Sequence, residues 1–519
     1  MASLEKPNRC TGDMKDSKQD KTAVGGRHMQ NKQSVVIGVD VGTQGVRTIA
    51  LNDSGELVSS RSSKFPLSGA REEQQPAEWW SALVSCLNQL AGDITLRYPH
   101  ARVEALSVTS TSGTMIALDK NLEPLSPAIM YSDSRSKAEA ARCRAAALSE
   151  DSAGYTAFNS SSGLPKIVWF IEQHAQLAEK IHIWAHAADY IIGKLSDVWG
   201  ITDYSNSLKS GYDLIHGQWP GYITEKLNLP GEWFPKVVVP GTVLGTISTA
   251  AAALTGLPRT LKIVAGMTDG CTSQIASGAI SPGDWSTTIG TTLVVKGVTR
   301  HAIEDPLGRL YNHKHPQGYW MPGGASNTGG DWIAADYAQA DLNALNAAAE
   351  AVIPTPWISY PLLQQGERFP FHSDLARGFD PQGLTPEQLF AARMEGVAYL
   401  ERLSYEMIES LSGERVNHLY TAGGGSNSGV WLSIRSSVLR RPINKMRYTE
   451  GAVGAAVLAA SQTLYGNLEE ACKAMLRLEE QIEPMSEAIC RQYDDNYLQF
   501  KQQLRDKGYL HAEGGGERI

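Results

Sequence analysis

The chain has 519 residues, of which 42% are hydrophobic and 20% charged, with a formal net charge of -8. That length exceeds what one core can organise, so two large domains are expected, and the negative balance argues against a nucleic-acid binder, which presents a basic face. No run of about 18 apolar residues occurs, so no membrane-spanning helix is expected, and the scattered cysteines form no CxxC pair for zinc or a disulfide framework. A reduced, cytoplasmic protein is the simplest expectation, with a homodimer the assembly left open.

Residues 1–33 mix Lys6, Arg9, Lys15, Lys18 and Lys21 with Glu5, Asp13, Asp16 and Asp20 and hold almost no aliphatic side chains. They read as a disordered extension, as does the glycine-rich 513–517 stretch. The folded part opens on the apolar strand Val35-Val36-Ile37-Gly38-Val39, runs into Asp40-Val41-Gly42-Thr43-Gln44-Gly45, and leaves through Val46-Arg47-Thr48-Ile49-Ala50-Leu51. A P-loop or dinucleotide fold would enter a helix after those glycines. Here β-branched residues continue, so the pattern predicts a glycine turn between two strands, a turn at Asn52-Asp53-Ser54-Gly55, and a third strand from Leu57.

Helices are predicted over 77–90, 136–148, 166–179, 386–411 and 451–464. A boundary is expected near 255–265, giving an N-terminal domain over 34–262 and a C-terminal one over 263–510. The second half repeats the opening device: Trp285-Ser286-Thr287-Thr288-Ile289, then Gly290-Thr291-Thr292, then Leu293-Val294-Val295-Lys296. Two strand–Gly-Thr–strand hairpins, one per half, suggest a duplicated α/β architecture with facing glycine turns.

Four segments can carry chemistry. In the first, Gly42 and Thr43 could form an anion-binding nest, while Asp40 could hold hydrated magnesium or meet a reacting hydroxyl; the bland reading is an Asp capping its own turn. Gly290-Thr291-Thr292 suits a second phosphate, or is a plain hairpin. Gly423-Gly424-Gly425-Ser426-Asn427-Ser428 follows a strand and lets a ring or ribose lie on the backbone; it lacks the Rossmann spacing and could be a tight strand-to-helix crossover. In Gly266-Met267-Thr268-Asp269-Gly270, Asp269 could project into a cleft as a general base, or form a turn.

In this order the segments resemble the FGGY carbohydrate kinases over roughly 35–500. Asp40-Val41-Gly42-Thr43 is similar to that family's first phosphate motif and Lys166-Ile167-Val168-Trp169-Phe170-Ile171-Glu172-Gln173 to a signature of its N-terminal domain. Thr268-Asp269 resembles the catalytic Asp site and Gly290-Thr291-Thr292 the second phosphate turn. Gly423-Gly424-Gly425-Ser426 resembles the adenosine loop, and Glu450-Gly451-Ala452-Val453-Gly454-Ala455-Ala456 the helix start that closes it. The resemblance implies two actin-like, ribonuclease H-like domains with ATP and magnesium in the cleft between them. It implies Asp269 and Asp40 as catalytic residues, with Asp40 also on the metal. ATP would meet Gly42, Thr43, Gln44, Gly290, Thr291, Thr292, Gly424, Gly425 and Asn427, and a small sugar would meet Thr111, Ser112, Asp133 and Asp269. Gly323-Gly324-Ala325-Ser326-Asn327-Thr328-Gly329-Gly330 is similar to the D-ribulose and D-xylulose kinase branch. Thr111-Ser112-Gly113-Thr114 stands where many xylulokinases place Gln-Met-His-Gly, which favours D-ribulose. Asp133 could instead cap a helix. An actin-like ATPase and a catalytically silent sugar-binding regulator are the rival classes.

A chain starting at Gln33 is expected to keep its thermal midpoint and its activity, since residues 1–32 lack the apolar content needed to dock on a core. A midpoint lowered by several degrees would show that the segment packs.

Overall fold

The computed structural model describes residues 33–65, 72–150 and 155–510; the expectations for the N-terminal extension, Gln33 apart, and for 513–517 lie outside these residues. Two large sheets dominate. In the first the spatial order is Val243–Thr246, Lys262–Val264, Arg102–Ser110, Ser34–Val41, Gly45–Asn52 and Leu57–Lys64. In the second it is Leu310–Lys314, Trp320–Ala325, Leu293–Gly297, Asp284–Ile289, His418–Ala422, Ile443–Met446 and Leu478–Ile482.

The sheets share one plan. In each, an opening strand pairs antiparallel with the second strand of a meander and parallel with the strand that follows the next crossover. That later strand pairs parallel with another. The duplication suggested by two short hairpins is therefore a duplication of whole sheets. Asn52 accepts the amides of Ser54 and Glu56 through Oδ1, which closes the predicted turn before the third strand.

Helix lengths depart from expectation in instructive ways. The first long helix is Pro76–Arg97 and continues past 90 because Ala91 and Ile94 extend its buried face. The stretch expected as one helix over 166–179 is two, Gly163–Gln173 and Ala175–Ala178, interrupted at the non-helical backbone of His174 (φ -133°, ψ 53°). Pro386–Ser412 and Gly451–Ser461 match their patterns closely.

Gly451–Ser461 is buried on every side. An all-round apolar helix belongs in a core, and this one lies on Ser34–Val41 and Arg102–Ser110 of the first sheet and against the helix Asp269–Ser277. Val36, Ile49, Ala105 and Val264 from the first sheet meet Met267, Cys271 and Ile275 and the alanines of 452–460 in one apolar cluster. Asp269–Ser277 in turn reaches the strands His418–Ala422 and Ile443–Met446, so the two helices link the two sheets.

The contacts with the first sheet and with the helix Asp269–Ser277 require glycine. A Cβ on Gly38 would run into the carbonyl oxygen of Ala452, and one on Gly454 into that of Thr272. Backbone cannot yield as a flexible side chain can, so Gly38→Ala is expected to destabilise by about 3 kcal/mol or more. Gly290→Ala adds its methyl to open space and should move stability by less than about 0.5 kcal/mol. Urea unfolding of both variants beside wild type tests this, and equal midpoints would refute the packing account.

Candidate active site

Three parallel strands of the first sheet end at one edge. Asp40 stands opposite Thr109 in the register, and one step on Ser110 bridges to Thr268. Thr109 donates its hydroxyl to the carbonyl of Met267 at 2.7 Å, and Thr272 donates to Thr109 Oγ1 at 3.0 Å. These bonds bring the loop Thr111-Ser112 and the start of the helix Asp269–Ser277 to the same place, at the carboxyl ends of parallel strands where α/β sheets bind ligands.

Asp269 is the first residue of that helix, with Thr268 at the N-cap, so it is neither a hairpin turn nor a free loop residue. Its Oδ1 accepts the amide of Gly270 at 2.7 Å. Burial raises its pKa, against the pull of Lys296, the Gly270 amide and Lys209. Asp40 lies beside it. Burial first, then repulsion from Asp269, lifts Asp40 to about 6, with Arg47 pulling the other way. Oδ2 of Asp40 lies where Gly451 starts the second helix, so near that a Cβ on Gly451 would approach it to 3.3 Å. Two helix N-termini thus converge on two carboxylates, an arrangement with positive dipole ends directed at one point.

The glycine segments surround this point. The turn 42–45 is closed by Gly42 N–H donating to the Gly45 carbonyl at 3.0 Å, and Gln44 is exposed. Gly290 and Thr291 are exposed, and a Cβ at either Gly290 or Gly424 would meet nothing within 4 Å. Packing does not demand glycine at those two positions, which leaves room for a ligand to approach the backbone. Gly425 differs: it is buried against Ile289, so its missing side chain serves close packing, while Asn427 is exposed. The segment is also the strand-to-helix crossover, with Ser428 capping Gly429–Leu439.

The 323–330 segment buttresses the second turn. Leu293 N–H donates to Thr328, Ser326 N–H to Leu293, and Gly330 N–H to Gly290, each to a backbone carbonyl. Its polar side chains face inward. The buried carboxylate of Glu367 accepts Ser326 Oγ at 2.8 Å, Thr328 Oγ1 at 2.9 Å and Asn327 N at 2.6 Å. The Glu450–Ala456 stretch packs against Asp40 and the first sheet, below the first glycine turn.

Among the sugar-side candidates, Thr111 bonds internally to Thr114 at 2.9 Å and Ser112 is partly exposed. Asp133 is buried and already committed: it accepts the Arg135 amide at 2.8 Å and the Arg135 guanidinium at 2.9 Å. The helix for which it was the alternative cap begins with Ser136 at the N-cap. Lysines to which the motif reading gave no site role connect this region to Asp269. Lys166 is buried, its pKa brought down to about 7 by burial, with Asp133 and Lys209 as charged neighbours. Lys209 and Lys296 in turn act on Asp269.

Models of the FGGY family of carbohydrate kinases match the chain, the N-terminal domain over residues 35–276 and the C-terminal domain over 278–463. The chain belongs to the FGGY family. It is a phosphotransferase, an ATP-dependent sugar kinase. Xylulose kinase of Bacillus subtilis (strain 168) is 25% identical over 468 residues, which cover 85% of this chain and 91% of that protein. Gluconokinase of the same strain is 25% identical over 463 residues, 83% and 88% of the two chains. The structure of xylulose kinase from Rhodospirillum rubrum superposes with a TM-score of 0.80 at 27% identity, covering 91% of this FGGY kinase and 99% of that chain. Plasmodium falciparum glycerol kinase with ADP gives 0.80 at 18% identity over 92% and 99% of the chains, a likeness of fold.

The raised Asp40 makes a sign-specific prediction for this FGGY kinase. An unfolded Asp titrates near ~3.9, so between that pH and about 6 the folded protein keeps a proton that the unfolded chain has released. Ionisation at higher pH therefore costs stability. Asp40→Asn should stabilise the protein at pH 8, without nucleotide or divalent ions, by on the order of 2 kcal/mol. The gain should fade as pH falls from 6 to 4. Thermal unfolding across pH checks it, and identical curves at pH 8 would contradict the assignment.

Proposed function

We propose that Asp269 is the general base of the phosphoryl transfer, taking the proton of the sugar hydroxyl as its oxygen attacks the γ-phosphorus of ATP and ADP leaves. The observation that carries this reading is the placement of Asp269 at a helix start beside Asp40, with burial raising its pKa. A carboxylate raised toward neutrality is a stronger proton acceptor and can be held ionised by its lysine neighbours. Phosphoryl transfer otherwise asks for positioning and charge stabilisation. The partly or fully exposed backbone at 43–44, 291–292 and 424 supplies amide donors for phosphates, the Gly42 and Gly290 amides being used within their own turns, and Asn427 is exposed nearby in sequence.

Asp40 is the residue we assign to magnesium. Its Oδ1 is buried and accepts no hydrogen bond among the described residues, which suits a magnesium ion carrying waters and phosphate oxygens. Such an ion, when bound, would offset the charge of the phosphates. We read residues 34–262 as the sugar-binding half and 263–510 as the nucleotide-binding half. Among the described residues no helix is long and apolar enough to cross a membrane. The cysteines described there are free and buried, in keeping with a cytoplasmic enzyme.

For the acceptor, the sequence favours a pentulose, D-ribulose before D-xylulose, on the 111–114 and 323–330 segments. The inward-facing side chains of 323–330 weaken that support, because they serve Glu367 and the phosphate turn. One observation favours a second reading, an acidic sugar: Lys209 and Lys296 flank Asp269, and neither has a carboxylate within ion-pair distance among the described residues.

Asp269→Asn keeps the shape and removes the proton acceptor. Its kcat should fall on the order of 10²–10⁴-fold, with ADP affinity nearly unchanged because the phosphates rest on the glycine turns. ADP release, assayed with and without a sugar panel, measures this. Near-normal turnover would overturn the role of Asp269, and ADP release indifferent to every sugar would favour an ATPase.

A further inference from the structure

Every carbonyl of the 290–292 turn is taken up from within the protein. The Gly290 oxygen accepts the amide of Gly330 at 2.8 Å, the Thr291 oxygen that of Asp331 at 3.3 Å, and the Thr292 oxygen that of Gly290 at 3.1 Å. The strand leaving the turn is tied in the same way: Leu293 N–H donates to the Thr328 carbonyl at 2.8 Å, and the Leu293 carbonyl accepts Ser326 N–H at 2.9 Å. The amides of Thr291 and Thr292 make no hydrogen bond among the described residues, and Thr291 is exposed. Free N–H groups with the carbonyl dipoles directed away from them form a receptor for an anion. The reverse arrangement would repel one, and a turn of small residues does not choose between the two by itself.

The choice is made by the 326–331 segment, and that segment is placed by Glu367. Glu367 is 2% exposed, and its backbone pairs with Ser373 in both directions at 2.9 Å. Its Oε2 accepts the hydroxyls of Ser326 at 2.8 Å, Thr328 at 2.9 Å and Tyr360 at 2.8 Å. Its Oε1 accepts the amides of Asn327 at 2.6 Å and Arg368 at 2.9 Å. A buried carboxylate bonded on both oxygens by neutral donors is fixed in position. The Asn327 side chain adds a bond from Nδ2 to the Gly366 carbonyl at 2.9 Å. Gly329 then lies flat on the turn, where a Cβ would come within 2.4 Å of Thr292 Cα.

A carboxylate that served only its own hairpin would need the Tyr360 and Arg368 bonds, which stay within 360–373. The bonds to Ser326, Asn327 and Thr328 leave the hairpin, and the backbone of that second segment is what holds the turn. Between Glu367 and Thr291 there are thus two layers of hydrogen bonds and one glycine contact. The Asp331 carboxylate, next along the chain, accepts the amide of Trp332 at 3.0 Å, at the start of its own helix.

We propose that Glu367 is a positioning residue of the nucleotide site: by fixing 326–331 it turns the carbonyls of 290–292 inward and leaves the Thr291 and Thr292 amides to meet phosphate oxygens. Glu367 itself touches no reactant. The proposal rests on the reading of 290–292 as a phosphate turn. It assigns the preorganisation of that turn, which electrostatic stabilisation of phosphates requires, to one carboxylate far along the chain.

The test is calorimetric binding of AMP and of the β,γ-imido analogue of ATP to the full chain, for wild type, Glu367→Gln, Thr328→Val, Thr328→Ser and Thr291→Asp. In Glu367→Gln the two backbone amides keep the oxygen, so the new NH2 group faces three hydroxyls that had been donors. Affinity for the imido analogue should fall on the order of 10-fold, the worth of one hydrogen bond, with less than about a threefold change for AMP. Thr328→Val removes one donor at nearly constant volume and should act in the same direction, so the test survives if Glu367→Gln fails to fold. Thr328→Ser restores the hydroxyl and should bind as wild type does. Thr291→Asp places a negative charge on the exposed turn and should abolish binding of the imido analogue. AMP weakened in the same proportion as the analogue would reduce Glu367 to a support of the fold and overturn the proposal. Unchanged binding in Glu367→Gln and Thr328→Val, with Thr291→Asp impaired, would also overturn it and leave the phosphate turn standing. Wild-type affinity for the analogue in Thr291→Asp would overturn the phosphate-turn reading itself.

Discussion

The close seating of the helix Gly451–Ser461 on the first sheet is the constraint on which the active site depends. Gly38 admits the carbonyl of Ala452, and Gly454 admits that of Thr272. These two backbone contacts fix a helix from the second half of the chain against the opening strand, and fix Asp269–Ser277 against that helix. Asp40 and Asp269 belong to different elements, and their separation follows from this packing. The same packing desolvates both carboxylates and raises their pKa values, so the groups assigned to base chemistry and to the metal acquire their properties from an apolar interface beneath them.

The second sheet supplies the turn assigned to phosphate with equal economy of means. A turn rich in small residues is a poor structure former by itself, and the 290–292 turn is held from outside by the 323–330 segment, whose hydroxyls and amide converge on the buried Glu367. Below the 423–427 crossover, the buried Arg435 joins Glu401 at 2.7 Å and donates to Thr421 at 2.8 Å. Charged groups buried with full hydrogen bonding are rigid, and here they lie directly under exposed backbone. Rigid support and an exposed, side-chain-free loop are what electrostatic preorganisation toward phosphates requires.

Charge is distributed unequally around Asp269. Asp133 is neutralised by Arg135, whereas Lys209 and Lys296 face the site without a carboxylate at ion-pair distance among the described residues. A family fold permits many acceptors, and the relatives named for xylulose and for gluconate are equally similar to this chain at 25% identity. The acceptor is thus a property of side chains lining one pocket, and overall likeness does not discriminate it.

The sequence by itself determined the local events. Apolar strand, glycine turn and β-branched strand are contiguous at 35–51 and at 285–296, so both hairpins, the Asn52 turn and the long helix at 386–412 were legible from short-range propensity and periodicity. The motif order also marked Asp40, Asp269 and the three glycine segments, because each is a compact string of residues. Tertiary structure alone decided what those strings do together. Nothing near residue 38 announces that a helix from 451 will rest on it, and the polar letters of 326–328 look the same whether they face a sugar or Glu367. Lys209 and Lys296 were given no site role by the motifs, and only long-range packing brings them to act on Asp269, as it brings Lys166 to Asp133. Contacts between residues far apart in the chain leave no periodic trace in it, and for that reason the candidate segments were readable while the charges brought around them were not.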